Sequence, residues 1–361
     1  MWCPLRPPDR PRRRRCWDRY DRYGRRKPIL IGAAFCALST ALCAVATSLG
    51  WLVALRFVMG FSGAAGIVVG RAVISDVASG KVAARLFGIL TVLGGIAPIV
   101  APLAGGAVVI AAGWRWVFWA LAAASLLMFL AALFAVPESL PREKRHGSGM
   151  RSTLRAVGSV LTNRPYLGYT FAFTFGCGTL YCYIAASPFL LQKVLGLSVG
   201  QASVAFAGGA LTATVSSAVN AKLVDHFAPA RLLRIGLATM VAATAAMLVI
   251  TLAGQLGRVS ALGLLGVTFI GLGMVFGNAT ALAIDYVPYA AGTGSAVLGT
   301  LQSALGAIVA PLMGLGGEHT AVPLFLGMTA CSGIAALALL LTRGAEPSAV
   351  REHKVAETIG L

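Results

Sequence analysis

Charged residues are scarce in this sequence, and their scarcity excludes an ordinary water-soluble protein. Only 12% of the 361 residues are Asp, Glu, Lys or Arg, whereas 58% are hydrophobic and the mean hydropathy is +0.81. A soluble domain carries about 25% charged residues. Apolar runs near the bilayer-crossing length of roughly 20 residues therefore predict an all-α membrane protein that crosses the bilayer many times.

Patterns for metal binding, redox chemistry and catalysis are also lacking. The chain has only four histidines, and its seven cysteines form no Cys-x-x-Cys pair. Neither a metal centre nor a disulfide framework is therefore indicated. No Gly-x-x-x-x-Gly-Lys-Ser/Thr loop occurs, which leaves ATP-driven pumping without support. No nucleophile–base pair stands out, so we expect no enzyme activity, no cofactor and no metal.

Acidic groups are lacking where a proton-driven protein would use them. All twelve Asp and Glu residues fall in tails, loops or the ends of apolar runs. An ionisable group inside a span is costly and usually marks an ion or proton pathway. The sequence therefore leaves open where a proton-exchanging carboxylate would lie.

Ten apolar runs follow residue 27, and each is predicted to be a transmembrane helix. They lie near 28–48, 51–75, 84–111, 115–136, 166–191, 200–222, 232–253, 259–284, 293–315 and 321–342. The Lys and Arg residues of the loops crowd onto one side, and the other side has only Arg115, Lys193 and Arg258. The positive-inside rule places the crowded side, and with it both termini, in the cytoplasm.

Polar segments divide the chain. We expect an Arg/Pro-rich disordered lead at 1–20, a partial N-terminal helix bundle at 21–137, a cytoplasmic linker at 138–165, a C-terminal bundle at 166–342 and a cytoplasmic tail at 343–361. The lead has no apolar segment, so it is not a signal peptide. A nucleic-acid-binding arm is disfavoured because no soluble fold follows it.

Two weak repeats indicate homologous halves. Ala-Pro-Leu-x-Gly occurs at 101–105 and at 310–314, and the triplet at 21–23 resembles the triplet at 225–227, with nearly equal offsets. Such repeats are common in transporters. The second half has 59 residues from Tyr166 to its triplet, whereas the first has 20. We therefore expect the first half to lack two helices of a twelve-helix protein. A misread start and a divergent N-terminus both remain open.

The stretch 94–106 reads Gly-Gly-Ile-Ala-Pro-Ile-Val-Ala-Pro-Leu-Ala-Gly-Gly. In a helix, Gly94, Pro98, Pro102 and Gly106 form one slowly drifting stripe, with Gly105 beside it. A stripe without bulky side chains lets another helix approach, and the two prolines loosen the helix. The pattern predicts either a kinked packing helix or the bending point of a protein that opens to each side of the membrane in turn.

This stretch resembles the fifth-helix motif of proton-coupled antiporters in the major facilitator superfamily, and its double Ala-Pro form is similar to the bicyclomycin-resistance (Bcr/CflA) type. The resemblance implies two helix bundles with pseudo-twofold symmetry. It also implies multidrug or xenobiotic efflux from the plasma membrane by proton-coupled antiport with alternating access. The implied partners are a lipophilic drug-like substrate, protons and lipid, for a monomer. A metabolite facilitator of the same fold and a non-transporting fragment of a broken exporter gene remain alternatives.

The loop before the first apolar run resembles the cytoplasmic latch of this family, in which charges pair across the two halves. The matching residues are Asp21, Arg22, Gly24, Arg25 and Arg26. The glycine expected four residues before Asp21 is replaced by a tryptophan. A basic loop that merely fixes the topology is the alternative.

Arg56 stands inside an apolar run and resembles the fourth-helix arginine that the family links to proton transfer. The alternative is an arginine whose long side chain reaches the membrane surface. For the substrate cavity, the aromatic and amide candidates are Tyr181, Asn278 and Gln302. Such groups suit lipophilic or weakly polar ligands, although helix packing explains each of them as well.

Overall fold

The fold is taken from a computed structural model that describes residues 26–77, 80–135, 157–314 and 320–342. Side chains are described within these ranges except at 26–29, 64–92, 95, 135 and 289. The described ranges contain ten long helices: α1 Arg26–Ala44, α2 Leu49–Val77, α3 Gly80–Ala112, α4 Trp114–Ala135, α5 Arg164–Pro188, α6 Val199–Leu223, α7 Pro229–Leu252, α8 Arg258–Asp285, α9 Ala291–Gly314 and α10 Val322–Ala338.

The helices have the length and composition of membrane spans. Among the described residues, seven helices, α4 to α10, are long and apolar enough to cross a bilayer, α10 together with the 3-10 turn Leu339–Thr342 that continues it. Shorter apolar segments lie in the other three, at Leu30–Ala44, Leu49–Gly63 and Ile96–Ala112. The helix bounds agree with the ten predicted runs to within a few residues, and the predicted all-α polytopic class is confirmed. Pro102 and Pro311 of the repeated motif both lie inside helices.

The chain forms two compact units. One contains the described residues of Met1–Thr91 and Ala112–Ser148, and the other contains the described residues of Val92–Ala111 and Gly149–Leu361. The second half of α3 therefore packs with the second unit, although the predicted N-terminal bundle at 21–137 contains all of α3. In the first unit, α1 packs against both α2 and α4 around a small core formed by Cys43, Ala44, Leu55 and Phe118.

The second unit has a larger core, in which α5 packs against α8, α9 and α10. Helix α8 also packs against α6 and α7. An aromatic group joins three of these helices: the ring of Tyr183 stacks on Phe206 at 5.3 Å and meets Phe269 edge-on at 5.1 Å between centroids. These rings bury large apolar areas where α5, α6 and α8 meet.

Polar contacts fix the first turn of α5. Asn163 caps the helix by accepting a hydrogen bond from the Tyr166 backbone N–H at 3.0 Å, and a proline follows in the first turn. The Asn163 amide also donates to the Tyr286 carbonyl at 3.1 Å, and the Tyr166 hydroxyl donates to the Gly294 carbonyl at 2.8 Å. The start of α5 is thereby tied to the end of α8 and the start of α9. At its other end, α5 continues as the π-helix Phe189–Val194.

Glycines let α8 approach two neighbours at the level of the backbone. A Cβ atom at Gly271 would lie 2.6 Å from the Gly236 carbonyl oxygen of α7. A Cβ atom at Gly273 would lie 2.5 Å from the Ala213 carbonyl oxygen of α6. Small residues at such crossings are the usual means of close helix packing in lipid. The sequence Gly-Leu-Gly at 271–273 therefore packs α8 tightly on both sides.

We expect Gly271→Ala to destabilise the second unit by roughly 1–3 kcal/mol, because the new methyl group meets a backbone carbonyl that cannot move aside cheaply. The measurement is the melting temperature of the purified protein in detergent. Gly263→Ala is the matched control on the same helix, since a Cβ there has no atom within 4 Å. Its melting temperature should stay level or rise, because alanine is the better helix former. Equal melting temperatures for the two variants would contradict the close α7–α8 crossing.

Candidate functional site

The proline motif lies inside α3, which is helical through both Pro98 and Pro102. Neither proline has a backbone N–H to donate, so the helix is less firmly held here than elsewhere. The described glycines of the motif differ in how closely other atoms approach them. A Cβ at Gly94 or Gly105 would have no atom within 4 Å, whereas Gly106 is buried, and a Cβ there would lie 2.8 Å from the Ser203 Cβ and would also meet the Ser203 Oγ.

Gly106 therefore marks a seam between α3 and α6. The same seam continues one turn further along α3, where the side chain of Ile110 lies 3.6 Å from a Cβ placed at Gly200. The Ser203 hydroxyl donates within its own helix, to the Val199 carbonyl at 2.9 Å. The described contacts of this seam are thus steric contacts, and each has a glycine on one side. Of the predicted stripe, it is the end at Gly106 that a neighbouring helix approaches.

Arg56 lies in the first unit, in the part of α2 that packs near α4. Its side chain is exposed, and the guanidinium carbon stands 4.9 Å from the centroid of the Phe118 ring. A guanidinium over an aromatic face gains roughly 0.5–1 kcal/mol at exposed sites and more when water is excluded. The aromatic ring of α4 thus gives this membrane arginine a defined place.

Two of the cavity candidates come together. The Gln302 side-chain amide of α9 donates to the Tyr181 hydroxyl of α5 at 3.2 Å, and both residues are half-buried. Gly306 makes room for this arrangement, because a Cβ there would lie 3.0 Å from the tyrosine ring. The result is a polar pair on the α5–α9 seam, with donor and acceptor capacity left for a ligand.

Asn278 lies elsewhere, on the seam between α8 and α6. It is 3% exposed, and its amide nitrogen donates to Asn220 Oδ1 at 2.9 Å and to the Met274 carbonyl at 2.8 Å. Both amide hydrogens are thereby used within the protein. The structure thus separates Asn278 from the pair formed by Tyr181 and Gln302.

Most of the latch lies outside the described residues. Asp21, Arg22, Gly24 and Arg25 belong to that part of the chain, and Arg26 is the first residue of α1. Among the acidic residues whose side chains are described, Asp285 ends α8 and Asp225 follows α6, and both are exposed.

Three contacts were not anticipated from the sequence. Nothing in the sequence indicated the contact of Ser203, because a serine in an apolar helix usually bonds its own backbone. The contact of Asn220 could have been predicted, since an amide within the run 200–222 needs a partner in lipid. The contacts of Gly271 and Gly273 could also have been predicted, because their spacing places the two glycines on different faces of a helix.

These features define a class of protein: a multi-pass membrane protein built of apolar helices. The sequence profile of the Major Facilitator Superfamily matches residues 17–311. The chain therefore belongs to the major facilitator superfamily, a family of membrane transporters.

The chain has relatives in several bacteria. It is 35% identical over 321 residues to an "Uncharacterized MFS-type transporter YdgK" of Bacillus subtilis, covering 88% of this chain and 79% of the relative. It is 30% identical over 327 residues to a "Bicyclomycin resistance protein homolog" of Haemophilus influenzae, covering 88% and 80%. A "Multidrug resistance protein MdtL" of Escherichia fergusonii is 26% identical over 341 residues, with 92% and 83% covered.

Solved structures agree on the fold. A bacterial homologue of the human lysosomal transporter Spinster, described as inward-facing and unoccupied, superposes with a TM-score of 0.65 at 19% identity. The match covers 90% of this chain and 83% of that one. An occupied inward-facing structure of such a homologue gives a TM-score of 0.64 at 20% identity. The predicted major-facilitator fold is confirmed.

We expect Gly106→Ala to lower the melting temperature in detergent, because its methyl group collides with Ser203, and we expect it to have no such effect when it is added to Ser203→Gly. Gly105→Ala is the matched control on the neighbouring residue, where a Cβ has open space. The cost of the clash should be roughly 1–3 kcal/mol. A harmful Gly105→Ala, or a Gly106→Ala change that lowers the melting temperature as much in the Ser203→Gly background as in the parent, would contradict the seam.

Proposed function

We propose that the chain is a multidrug or xenobiotic exporter of the bicyclomycin-resistance type, working by proton-coupled antiport with alternating access. The proposal rests on the close contact of Gly106 with Ser203, through which the end of the proline motif of α3 packs against α6. The names of the relatives from Haemophilus and Escherichia, a bicyclomycin resistance protein homologue and a multidrug resistance protein, support the same substrate class.

The seam suits a helix that must move during transport. Steric contacts such as those of Gly106 with Ser203 and of Ile110 with Gly200 can slide or re-form without leaving a strong hydrogen bond broken in lipid. Pro98 and Pro102 lie one to two turns before this seam and weaken the backbone ladder of α3. In our proposal α3 bends at the prolines while the stretch at Gly106 keeps its contact with α6.

The other predicted residues have these roles in the proposal. Arg56, beside Phe118, takes part in proton transfer, and the loop at 21–26 is a cytoplasmic latch that pairs charges. The exporter works as a monomer in the plasma membrane with both termini in the cytoplasm, as the distribution of Lys and Arg predicts. The transported molecules are small, lipophilic and drug-like, and they exchange with protons.

Transport in everted membrane vesicles tests the proposal. We expect a lipophilic cationic dye such as ethidium to accumulate in vesicles with an acidic lumen, and accumulation to stop when nigericin collapses the pH gradient. Pro98→Ala combined with Pro102→Ala should insert normally and lose most of the transport, because the helix then regains its backbone hydrogen bonds and stiffens.

The control for this variant is Pro229→Ala, which changes a proline in the first turn of α7, where no helical hydrogen bond is missing. It should transport as the parent does. Equilibration of a labelled metabolite that ignores the pH gradient would favour a facilitator instead. Vesicles that move neither dye nor metabolite would favour a non-transporting fragment, and unchanged transport in the double proline variant would leave the motif with a packing role alone.

For substrate contact we propose the pair formed by Tyr181 and Gln302. Gln302→Leu should raise the KM for a transported dye by about fivefold, since one hydrogen bond contributes about 1 kcal/mol, and leave the maximal rate near its parent value. The control is Ser303→Ala on the same helix, whose hydroxyl bonds the Gly299 carbonyl at 2.9 Å and whose side chain is exposed. A maximal rate that falls with an unchanged KM would contradict a role in binding.

A further inference from the structure

We propose that Thr170 and Thr174 of α5 bind water between α5 and α9, and that this water passes protons along the seam toward Gln302. The water site does not depend on the proposed function. The proton role rests on that function, because it needs a transporter that exchanges protons.

The hydroxyls of Thr170 and Thr174 are buried without a partner. The two side chains are 0% and 4% exposed, and neither hydroxyl makes a hydrogen bond of regular geometry with the described residues. The other buried threonines of the described helices donate to the carbonyl four residues back, as Thr268 does to Leu264 at 2.9 Å. A buried hydroxyl that lacks a hydrogen bond is costly. Both hydroxyls therefore need a partner from outside α5.

Both threonines lie on the side of α5 that contacts α9. Counted from Tyr166 at about 100° per residue, Thr170 points about 40° round the helix and Thr174 about 80°. On the same count Tyr181 points about 60° round. Tyr166 and Tyr181 both form hydrogen bonds with residues of α9. The two threonines therefore lie on the seam with α9, in line with two direct contacts.

The other neighbours of α5 lie in different directions. Helix α8 contacts Phe173 and Gly176, which point about 340° and about 280° round α5. Helix α10 contacts Gly168 and Thr179, which point about 200° and about 220° round. None of these contacts faces the two threonines, so the partner of their hydroxyls lies on the seam with α9.

The side chain of α9 that faces the pair is apolar. The two hydrogen-bonded contacts of α9 are at Gly294 and Gln302. Leu298 lies midway between them on the same face, one helical turn from each. It is 5% exposed and offers no polar atom to a hydroxyl. A small polar molecule must therefore complete the hydrogen bonds, and water is the usual one at buried polar sites.

The spacing of the pair fits one water molecule. Residues four apart are separated by about 6 Å along a helix. Two hydrogen bonds of about 2.8 Å, one to each hydroxyl, cover that distance. Helices α5 and α9 run parallel, since Tyr166 meets Gly294 near their starts and Gly178 meets Leu305 further along. On this alignment Gln302 lies within about one helical turn of the level of Thr174.

Hydroxyls and water can move protons without becoming charged in the end. Each oxygen is both a donor and an acceptor. An oxygen that accepts a proton from one side releases its own to the other, so one net proton moves and every group is neutral again. The described carboxylates of the second unit, Asp225 and Asp285, lie at the ends of helices. A proton on this seam would therefore be carried by neutral groups.

Radiolytic footprinting of the purified protein in detergent tests the water site. X-rays convert a bound water into a hydroxyl radical, which oxidises the side chain beside it even where bulk solvent cannot reach. We expect Leu298 to be oxidised in the parent, whereas Leu237 of α7, which is also buried, should stay unmodified. Thr170→Val combined with Thr174→Val keeps the shape of both side chains and should remove most of the oxidation of Leu298.

Two control variants accompany this measurement. Thr268→Val removes a buried hydroxyl that already bonds its own helix, so it should leave the oxidation of Leu298 unchanged. Serine at both 170 and 174 keeps the hydroxyls and should keep the oxidation. Oxidation of Leu298 in the parent that is as weak as that of Leu237 would overturn the water site, and so would equal oxidation in the parent and the double valine variant.

Transport tests the proton role separately. In everted vesicles the double valine variant should lose most of the dye accumulation that a pH gradient drives. It should keep the exchange of labelled for unlabelled dye without a gradient, which needs no net proton movement. Equal loss of both activities, or no loss of either, would contradict the proton role. A parent that moves no dye would contradict the proposed function and the proton role with it, whereas footprinting decides the water site independently.

Discussion

Every backbone N–H and C=O in the lipid must find its partner inside the protein, and this constraint shapes the whole molecule. Helices satisfy it within themselves, which is why the regular structure of the described ranges is helical. With the backbone satisfied, and with lipid as apolar as leucine, the helices are held together by close packing and a few hydrogen bonds. The seams of the second unit follow this rule: α7 and α8 cross at Gly236 and Gly271, and α6 and α8 are joined by the amides of Asn220 and Asn278.

The irregular parts of the helices lie next to specific contacts with neighbouring helices. Pro98 and Pro102 remove backbone donors from α3, and the helix rests on α6 just beyond them, at Gly106. Pro188 ends α5 and a π-helix follows, while Gly196 in the next turn has a φ of 62°. Arg258 holds this turn from the start of α8, by donating to the Leu195 carbonyl at 2.7 Å. A charged side chain is thus used to satisfy the irregular backbone at the end of a span.

Helix positions were largely predictable from the sequence, because hydropathy alone decides which segments enter the bilayer. The run predicted at 259–284 is α8, Arg258–Asp285, and the run at 166–191 covers α5 and the start of its π-helical extension. Hydropathy did not predict which face of each helix contacts its neighbours. An apolar helix in lipid has no polar face that reveals its neighbours, so the assignment of Val92–Ala111 to the second unit required the structure. The same holds for the partner of Asn278, which is 58 residues away along the chain. Tyr181 and Gln302 were named as candidates from their polarity, but the hydrogen bond between them was not predicted.

The two glycines of α8 have a mechanical consequence. Because Gly271 and Gly273 bring this helix into backbone contact with α7 and α6, a shift of α7 against α8 must open the crossing at Gly271, and a shift of α6 against α8 must open the crossing at Gly273. On the α5–α9 seam, the hydrogen bond from Tyr166 holds the start of α9, whereas the interaction further along α9 joins the tips of two long side chains, Tyr181 and Gln302, which can follow a small tilt by rotating about single bonds. We therefore expect a small tilt of α9 about its start to cost less than a shift of α8 against α6 or α7.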